Sequence, residues 1–464
     1  MKKMKLAVIG GGSVNWMRGL MKDVYLIDGV DGGEIRLVDP NESHVTSVKN
    51  MLLKFNELTG KDYQVSIVEN RLDALRSCDF VLTTFSPGAM DAFYNDLEIP
   101  IKYGVRLPVS MTCGISGISA SLRTVPVAYE IVEEMEKVCP GATLINVTNP
   151  MATVTKALNL PARTVHVYGL CHGAYDLSGI LDQIFGLKKP EGMLDREYMH
   201  DWLPKQGFDF TIAGLNHFIF LTKATWNGRD VLEDIRRYAR EHDGFGDKKD
   251  EPMLATNIYL SRGKASLAMC RQLGYLHIPG DRHLIEFWPS LCNIQNGFGM
   301  KYGVQKTTVD SRRLDKVLQQ RYIDQIASGE IPVEWNRTSE AVSDIMHYTL
   351  YGREMLLVSN MPNEGQIENL PMGTVVETVV RKEADGRIVP IPAGPLPETI
   401  RAMCSIHATV NDMVTEAALE GDRTKLVQAM SLDPTTATMD FSSIPDLCEE
   451  LLQANRAWLP RFFN

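Results

Sequence analysis

The feature that most constrains the fold is an alternation of short apolar runs with helical stretches through the first 195 residues. The stretch 43–58, for example, repeats its apolar residues at three- and four-residue steps, as a helix with one buried face requires. Strands that alternate with helices pair in parallel through right-handed crossovers. We therefore predict an α/β fold in which residues 1–195 form a doubly wound parallel sheet. The predicted strands are residues 5–9, 34–39, 80–84, 143–147 and 165–169.

The second half of the chain lacks this regular alternation. A turn-forming Asp385–Gly386 pair between two β-rich runs indicates a hairpin. A chain of 464 residues is long enough for two cores, so we predict a mixed α+β domain over residues 196–464. Its predicted strands are 374–380 and 388–391, and its predicted helices are 235–241, 252–273, 311–327 and a tail from 396 to 459.

Composition and charge exclude several classes of protein. Apolar residues make up 44% of the chain and charged residues 23%, which is typical of a globular protein. The net charge of -10, without a basic run, argues against a nucleic-acid binder. No apolar run approaches the roughly 20 residues that cross a bilayer, and the run at 6–9 is too short for the roughly 7–15 apolar residues of a secretory signal. We therefore expect a cytoplasmic protein without nucleic-acid or membrane partners.

A glycine-rich turn follows the first predicted strand. The glycines at 10–12 permit a tight turn, and the helix after them offers unpaired N–H groups to a pyrophosphate. Asn15 weakens the match, because the usual motif has Gly or Ala there. Asp39 ends the next strand, where a carboxylate accepts hydrogen bonds from the adenosine ribose and repels the 2′-phosphate of NADP. A plain strand–turn–helix with an exposed Asp is the alternative. We favour a Rossmann-like NAD-binding domain with contacts from Gly10, Gly11, Gly12, Ser13, Asn15, Asp39 and Thr84.

Further polar residues follow the later strands. Asn149 comes just after the strand 143–147, where ligands bind in doubly wound sheets, so we expect it to contact the nicotinamide of the cofactor or substrate hydroxyls. The alternative is that Asn-Pro only forms a turn. Cys171 follows the strand 165–169, and His217 comes later in the chain; a thiolate with an imidazole suits a borderline divalent metal. Taken singly, a buried Cys more often packs as a small hydrophobe. The eight cysteines include no Cys-x-x-Cys pair and otherwise indicate free thiols in a reducing compartment.

A fourth segment places Asp281 in a Pro-Gly turn beside Arg282. The neighbouring positive charge would keep the carboxylate ionised and able to act as a base. From local context alone, a turn-former or a helix cap is the favoured role of such an Asp. The base is the alternative, and the segment by itself does not decide between them.

Together these segments resemble glycoside hydrolase family 4, the NAD-dependent exception among glycosidases. The resemblance runs through nearly the whole chain, and its most specific parts are the Cys-His pair at 171–172 and the Asn-His pair at 216–217. It implies that the fold is similar to that of lactate and malate dehydrogenases. The matching segments are 9–14, 117–119, 122–127, 149–150, 169–172, 214–217, 280–283, 365–371 and 459–462.

The resemblance implies a glycosidase that works by redox elimination. Oxidation of the sugar at C3 by NAD makes the C2 proton acidic, and a divalent metal, typically Mn²⁺, held by Cys171 and His217 stabilises the enolate. A base removes the C2 proton, the C1 leaving group departs, water adds and the hydride returns, so no net NADH accumulates. The base position of the α-glycosidase branch matches Asp281. In the phospho-α-glucosidases the residue after the metal-binding Cys is an Asp that acts as the general acid. His172 stands at that position, and we predict that His172 is the acid.

The residues after the metal-binding Cys indicate the substrate in this family. The Cys-His-Gly-Ala run at 171–174 is similar to that of members that cleave α-uronides, and it lacks the Cys-Asp or Cys-Asn pair of the phosphoglycosidases. We therefore expect an α-glucuronide or α-galacturonide, with Arg282 or Arg123 gripping the carboxylate as a bidentate fork and Asn149 touching substrate hydroxyls. A neutral α-hexoside, or one with another anionic C6 group, is the alternative.

Two rival classes share parts of this pattern. A 2-hydroxy acid dehydrogenase has a related Rossmann domain, but this chain lacks the Gly-Glu-His-Gly-Asp run of such enzymes, and a dehydrogenase would accumulate NADH. A non-catalytic NAD-sensing regulator would need a DNA-reading element or a basic patch, and the sequence shows neither. The resemblance also implies a homo-oligomer, a dimer or tetramer, and we expect the apolar helical tail to supply its interface.

Overall fold

The computed structural model describes residues 1–109, 111–246 and 262–463. Within these ranges no helix is long and apolar enough to pass through a membrane. The strands are β1 (Lys2–Ile9), β2 (Val30–Val38), β3 (Asp62–Ile67), β4 (Phe80–Thr83), β5 (Thr143–Asn146), β6 (His166–Gly169), β7 (Phe208–Leu215), β8 (Phe218–Trp226), β9 (Arg229–Asp230), β10 (Leu276–His277), β11 (Met355–Pro362), β12 (Val375–Lys382) and β13 (Ile388–Pro390). The helices are α1 (Met17–Tyr25), α2 (Glu42–Thr59), α3 (Arg71–Leu75), α4 (Ala89–Lys102), α5 (Gly114–Val138), α6 (Met151–Asn159), α7 (Leu177–Phe185), α8 (Asp195–Glu197), α9 (Leu232–Glu241), α10 (Lys264–Leu273), α11 (Asp281–Phe287), α12 (Val309–Ser328), α13 (Val342–Leu350), α14 (Glu398–Glu420), α15 (Arg423–Leu432) and α16 (Ile444–Ala454).

The first six strands confirm the predicted doubly wound sheet. They run parallel in the order β3-β2-β1-β4-β5-β6, which is the strand order of a Rossmann domain. The sequence analysis missed β3, and the reason is its position. It is an edge strand whose residues are mostly exposed, so it lacks the apolar run that marks the central strands.

The sheet continues beyond β6 with antiparallel strands. β11 joins β6, and β12, β7, β8 and β10 follow, with β9 beside β8 and β13 beside β12. The hairpin predicted at 385–386 is confirmed by the antiparallel pairing of β12 with β13. β7, β8 and β11 were missed because they are buried on both faces over much of their length, which removes the alternation of an ordinary strand. The sheet crosses residue 195, and a domain boundary there stays a prediction.

The helices of the second half differ from expectation in several places, and α11 and α13 were not predicted. Of the predicted helix 252–273, α10 covers the last ten residues, and the part up to 261 lies outside the described residues. The helical tail packs onto the first half of the chain: Val410 and Leu451 share one core with Ile118 and Leu122 of α5. These apolar residues of the tail are therefore buried within the chain, and the interface that we expected on the tail stays a prediction.

Candidate active site

One row of paired residues brings several strand ends to the same edge of the sheet. Its members in the parallel half are the last residues of β1, β4, β5 and β6: Ile9, Thr83, Asn146 and Gly169. In doubly wound sheets, ligands bind beyond the carboxyl ends of the parallel strands. The predicted site residues that lie just beyond these ends are Gly10, Thr84, Asn149 and Cys171.

The same row continues through the antiparallel strands. Gly169 pairs with Asn360 of β11, and Asn360 pairs with Glu377 of β12. Glu377 pairs in turn with Gly214 near the end of β7. β7 then turns into β8 through two residues, the second of which is His217. This register brings His217 to the segment after β6, although 46 residues separate it from Cys171 in the chain.

The two predicted metal ligands lie in contact. Nε2 of His217 is 3.0 Å from Sγ of Cys171, and Nδ1 of the same ring is 3.0 Å from Oγ1 of Thr112. When Nδ1 carries the proton and donates it to Thr112, the lone pair of Nε2 is available to a metal. His217 also has a φ of +61°, a left-handed conformation that is uncommon outside glycine and concentrates at functional sites.

The donor chemistry of this pair fits a divalent metal. Burial lowers the pKa of His217 to about 3, so the imidazole is neutral and able to coordinate. Burial raises the pKa of the Cys171 thiol, and a bound cation would favour the thiolate over the thiol. Within the described residues, no group of three or more His, Cys, Asp or Glu side chains is arranged to hold a metal. A metal held here would thus have two such ligands and open positions for substrate oxygens.

Two buried polar atoms, one beside the pair and one after the neighbouring strand β5, lack hydrogen-bond partners among the described residues. Oδ1 of Asn149 and Nδ1 of His283 are buried, and neither atom forms a hydrogen bond with the described residues. The His283 ring stacks on that of His217, with 3.7 Å between the ring centroids. Buried polar atoms are costly when unsatisfied, so both fit a site that a polar ligand completes.

Two carboxylates that sequence reasoning missed lie beside the pair. Glu377 is fully buried, and burial raises its pKa to about 7. Glu340 lies 2.9 Å from Nδ1 of His172 and raises the pKa of that imidazole to about 9, while burial acts in the opposite direction. A single acid inside the apolar run 375–380 was a sequence signal for Glu377, because unpaired acids are rare in buried strands. Glu340 stands in an ordinary polar stretch, and we find no such signal for it.

Asp281 has the helix-capping contacts that local context favoured. Its carboxylate accepts hydrogen bonds from the main-chain N–H groups of Lys264, Ala265 and Ser266, at 2.9, 3.1 and 3.1 Å. These three residues begin α10, so the carboxylate binds the positive end of that helix. Burial raises the pKa of Asp281, and the hydrogen bonds oppose this. The next residue, Arg282, is buried and donates to Oγ1 of Thr307.

Arg123 does not contact the site as the sequence analysis expected. Its Nη2 lies 2.5 Å from Oδ2 of Asp96, and its Nε donates to the carbonyl of Pro87. A third bond runs from Nη1 to the carbonyl of Ser119 on the same helix. Arg123 and Asp96 are both almost fully buried. The structure therefore assigns Arg123 to the packing of α5 against α4, and we withdraw it as a substrate contact.

The glycine turn is tightly packed. Gly10 has a φ of +91°, and a Cβ there would come within 2.2 Å of the carbonyl oxygen of Thr84, so glycine is required. The N–H of Gly12 donates to Oδ2 of Asp39 at 2.9 Å. Oγ1 of Thr84 also bonds to Oγ of Ser13 at 3.2 Å. The close approach of backbone, carboxylate and hydroxyl groups at the start of α1 fits the pyrophosphate and ribose of a dinucleotide.

α12 forms a second side of this turn. Nδ2 of Asn15 donates to the carboxylate of Asp315 on α12, and Lys316 is near enough for its charge to interact with that of Asp39. Asn15 thus joins the turn to a helix from the second half of the chain. The predicted cofactor residues 10–13, 15, 39 and 84 are brought together by the fold, and what they bind stays a prediction.

Comparisons with known proteins agree with this architecture. Residues 5–187 match the model of a family described as family 4 glycosyl hydrolase, and residues 212–436 match the model of its C-terminal domain. The α-galacturonidase of Thermoanaerobacter italicus is 28% identical over 462 residues, which cover 98% of this chain and 97% of that protein. The α-galactosidase of Bacillus subtilis is 27% identical over 464 residues and 99% of both chains. A 6-phospho-β-glucosidase of Thermotoga maritima, solved with manganese, NAD⁺ and glucose-6-phosphate, has the same fold, with a TM-score of 0.74 at 21% identity over 98% of this chain and 99% of that one.

Proposed function

The chain belongs to glycosyl hydrolase family 4 and is a glycosidase, and from this premise we propose that it cleaves the α-glycosidic bond of a galacturonide or glucuronide. The Cys-His-Gly-Ala run and the likeness to an α-galacturonidase support a uronide. The likeness to an α-galactosidase supports the alternative, a neutral α-hexoside.

We also propose that NAD and a divalent metal, with Mn²⁺ as the first candidate, serve as cofactors. A cytoplasmic location and a homo-oligomer stay predictions.

The observation that carries the proposal is the contact between Sγ of Cys171 and Nε2 of His217. A soft thiolate and a neutral imidazole favour a borderline divalent cation, and two protein ligands leave room for two adjacent oxygens of a sugar. Asn149 lies beyond the neighbouring strand with an unsatisfied Oδ1, which would accept a hydrogen bond from a sugar hydroxyl. The predicted dinucleotide turn lies at the same edge of the sheet, so that a sugar at the metal would also be near the cofactor.

The protein side chains have distinct roles in the proposed reaction. When bound, NAD would accept and return a hydride at C3 of the sugar, and the metal would act as a Lewis acid on the C2 and C3 oxygens. Asp281 removes the C2 proton, for which one carboxylate oxygen must exchange a hydrogen bond from α10 for the substrate. His172 donates a proton to the leaving oxygen, because Glu340 keeps its imidazole protonated. Arg282 donates hydrogen bonds to the substrate carboxylate.

The direct test is turnover of p-nitrophenyl α- and β-glycosides, uronides included, with NAD, Mn²⁺ and a thiol reductant each added or omitted. We expect nitrophenol release from an α-uronide only when all three are present, without net NADH. NADH that accumulates without cleavage would establish the rival dehydrogenase. Cys171→Ser should abolish release, whereas Cys448→Ser, which changes a buried thiol of α16, should not. Release that persists without metal, or in Cys171→Ser, would refute the proposed site.

A further inference from the structure

Glu377 is a buried carboxylate that forms no salt bridge among the described residues, although the charge of His172 is close enough to lower its pKa. Its side chain has no exposed surface, and its Oε2 has no hydrogen bond of normal geometry among the described residues. Oε1 accepts from Nδ2 of Asn360 at 3.1 Å and from Nδ2 of Asn216 at 3.4 Å. Amide donors alone compensate poorly for the cost of removing a carboxylate from water. A further partner is therefore expected for this charge.

Contacts of Glu377 reach both segments that carry the predicted metal ligands. The amide of Asn216, which donates to Glu377, also donates to Sγ of Cys171. The main-chain N–H of His217 is directed at the same carboxylate. On the other side, Nδ2 of Asn360 bonds both to Oε1 of Glu377 and, at 3.3 Å, to the carbonyl of Gly169, two residues before Cys171. One side chain thus ties the β7–β8 turn to the end of β6.

Charge balance gives this arrangement a reason. A divalent cation held by one thiolate and one neutral imidazole keeps a net charge of plus one, and such a charge is expensive in a buried site. Burial raises the pKa of Glu377 to about 7, and a bound cation would favour the ionised form of this carboxyl. The resulting carboxylate, close enough to interact with Cys171, supplies the second negative charge. The positive charge of the cation would in turn stabilise the buried carboxylate without direct contact.

We propose that Glu377 is a positioning residue for the metal. It fixes the Asn216–His217 turn and the Cys171 segment through hydrogen bonds, and its negative charge completes the neutralisation of the bound cation. This inference rests on the metal-dependent function proposed above. It assigns Glu377 no contact with substrate or metal. Partners of this kind, just behind the ligands, typically change metal affinity about 10–100-fold when they are replaced.

Two substitutions separate the charge from the hydrogen bonds. Glu377→Gln keeps an acceptor for Asn216 and Asn360 and removes the charge, and we expect the Kd for Mn²⁺ to rise about tenfold. Glu377→Ala removes both, and we expect a rise of about 100-fold. The Kd is measured from the electron paramagnetic resonance signal of free Mn²⁺, and binding of Co²⁺ is followed by its thiolate charge-transfer absorption. Glu136→Gln is the matched control, because Glu136 bonds to the chain just before β6, at the opposite end of the strand, and should leave both signals unchanged.

The outcomes distinguish this inference from the proposed function. Wild-type protein that binds no Mn²⁺ or Co²⁺ would refute the metal-dependent function itself. Wild-type protein that binds Mn²⁺, with Glu377→Gln at the same Kd, would overturn only the role of Glu377. The Kd for NAD and the melting temperature report whether Glu377→Gln stays folded. If it does not, Asn216→Ala decides, since it keeps the charge and removes one link: a severalfold weaker Mn²⁺ affinity supports the inference, and an unchanged Kd overturns it.

Discussion

Oε1 of Glu340 lies 2.9 Å from Nδ1 of His172, the residue next to Cys171. The hydrogen bond raises the pKa of the imidazole to about 9, and burial lowers it by less. His172 is therefore a cation at neutral pH, with a proton to donate. The carboxylate also fixes the orientation of the ring by accepting from Nδ1. A protonated, oriented imidazole beside the predicted metal pair is the arrangement that a general acid needs.

Replacement of His172 by Gln should affect poor leaving groups most. An alkoxide leaves slowly without a proton, whereas p-nitrophenolate leaves readily without one. We expect kcat for an alkyl or disaccharide α-uronide to fall about 10²–10⁴-fold, and kcat for the p-nitrophenyl α-uronide to fall far less. Steady-state kinetics on the two substrates give the ratio. Glu340→Gln should shift the ratio in the same direction by a smaller factor, and an equal loss on both substrates would refute the acid role.

Asp281 should be essential for the chemical step even though its carboxylate caps α10. Asp281→Asn keeps one acceptor oxygen for the N–H groups of α10 and removes the base, so kcat should fall about 10²–10⁴-fold with little change in the Kd for Mn²⁺. Exchange of the C2 proton with deuterated water, followed by NMR, should stop as well. Ser266→Ala is the matched control, because it removes one donor to the carboxylate, the Ser266 hydroxyl, and keeps the base. Asp281→Asn with near-normal exchange would leave Asp281 with the capping role alone.

Arg282 should determine the preference for a uronide. Arg282→Leu removes the proposed donors to the C6 carboxylate, and KM for an α-uronide should rise about tenfold or more, since each strong charge-assisted bond contributes roughly 1.5–3 kcal/mol. KM for the matching neutral α-hexoside should change little. Thr307→Val removes the hydroxyl that Arg282 contacts and controls for loosened packing. An unchanged KM for uronides in Arg282→Leu would rule out Arg282 as the residue that binds the substrate carboxylate.

Asp39 should select NAD over NADP. Its Oδ2 accepts a hydrogen bond from the N–H of Gly12, and its negative charge would repel the 2′-phosphate of NADP. Asp39→Ser should raise the Kd for NAD about tenfold, which corresponds to roughly 1.4 kcal/mol, and should lower the preference for NAD over NADP. Isothermal titration of metal-free protein measures both constants. Asp39→Asn keeps an acceptor for Gly12, so it should lose selectivity with a smaller change in NAD affinity; unchanged selectivity in both variants would contradict the assignment.

Some residues that the sequence identified have positions that follow from local patterns, whereas His217 was identified through the family resemblance and reaches Cys171 through the strand register. Cys171 and Asn149 come just after apolar strands, so their place at the edge of the sheet follows from the strand order. Glu377 lies close to Cys171 because β6, β11 and β12 lie side by side in the sheet. Glu340 contacts His172 from a loop about 170 residues later in the chain. No spacing within the chain encodes that register. Arg123 was misassigned for the same reason, because its partner Asp96 lies on another helix.

Glu136 should make stability depend on acid pH. Burial would raise its pKa, but Oε1 accepts the N–H groups of Arg163, Thr164 and Val165 and lowers the pKa to about 2. A depressed pKa contributes stability above the unfolded value of 4.5, and that contribution disappears as pH falls from about 4.5 towards 2. Glu136→Gln should therefore melt about 2 °C below wild type at pH 7, since solvent screening limits the effect. The two melting curves should converge below pH 4.5. A gap in melting temperature that stays constant from pH 7 to pH 3.5 would show that the charge of Glu136 contributes nothing.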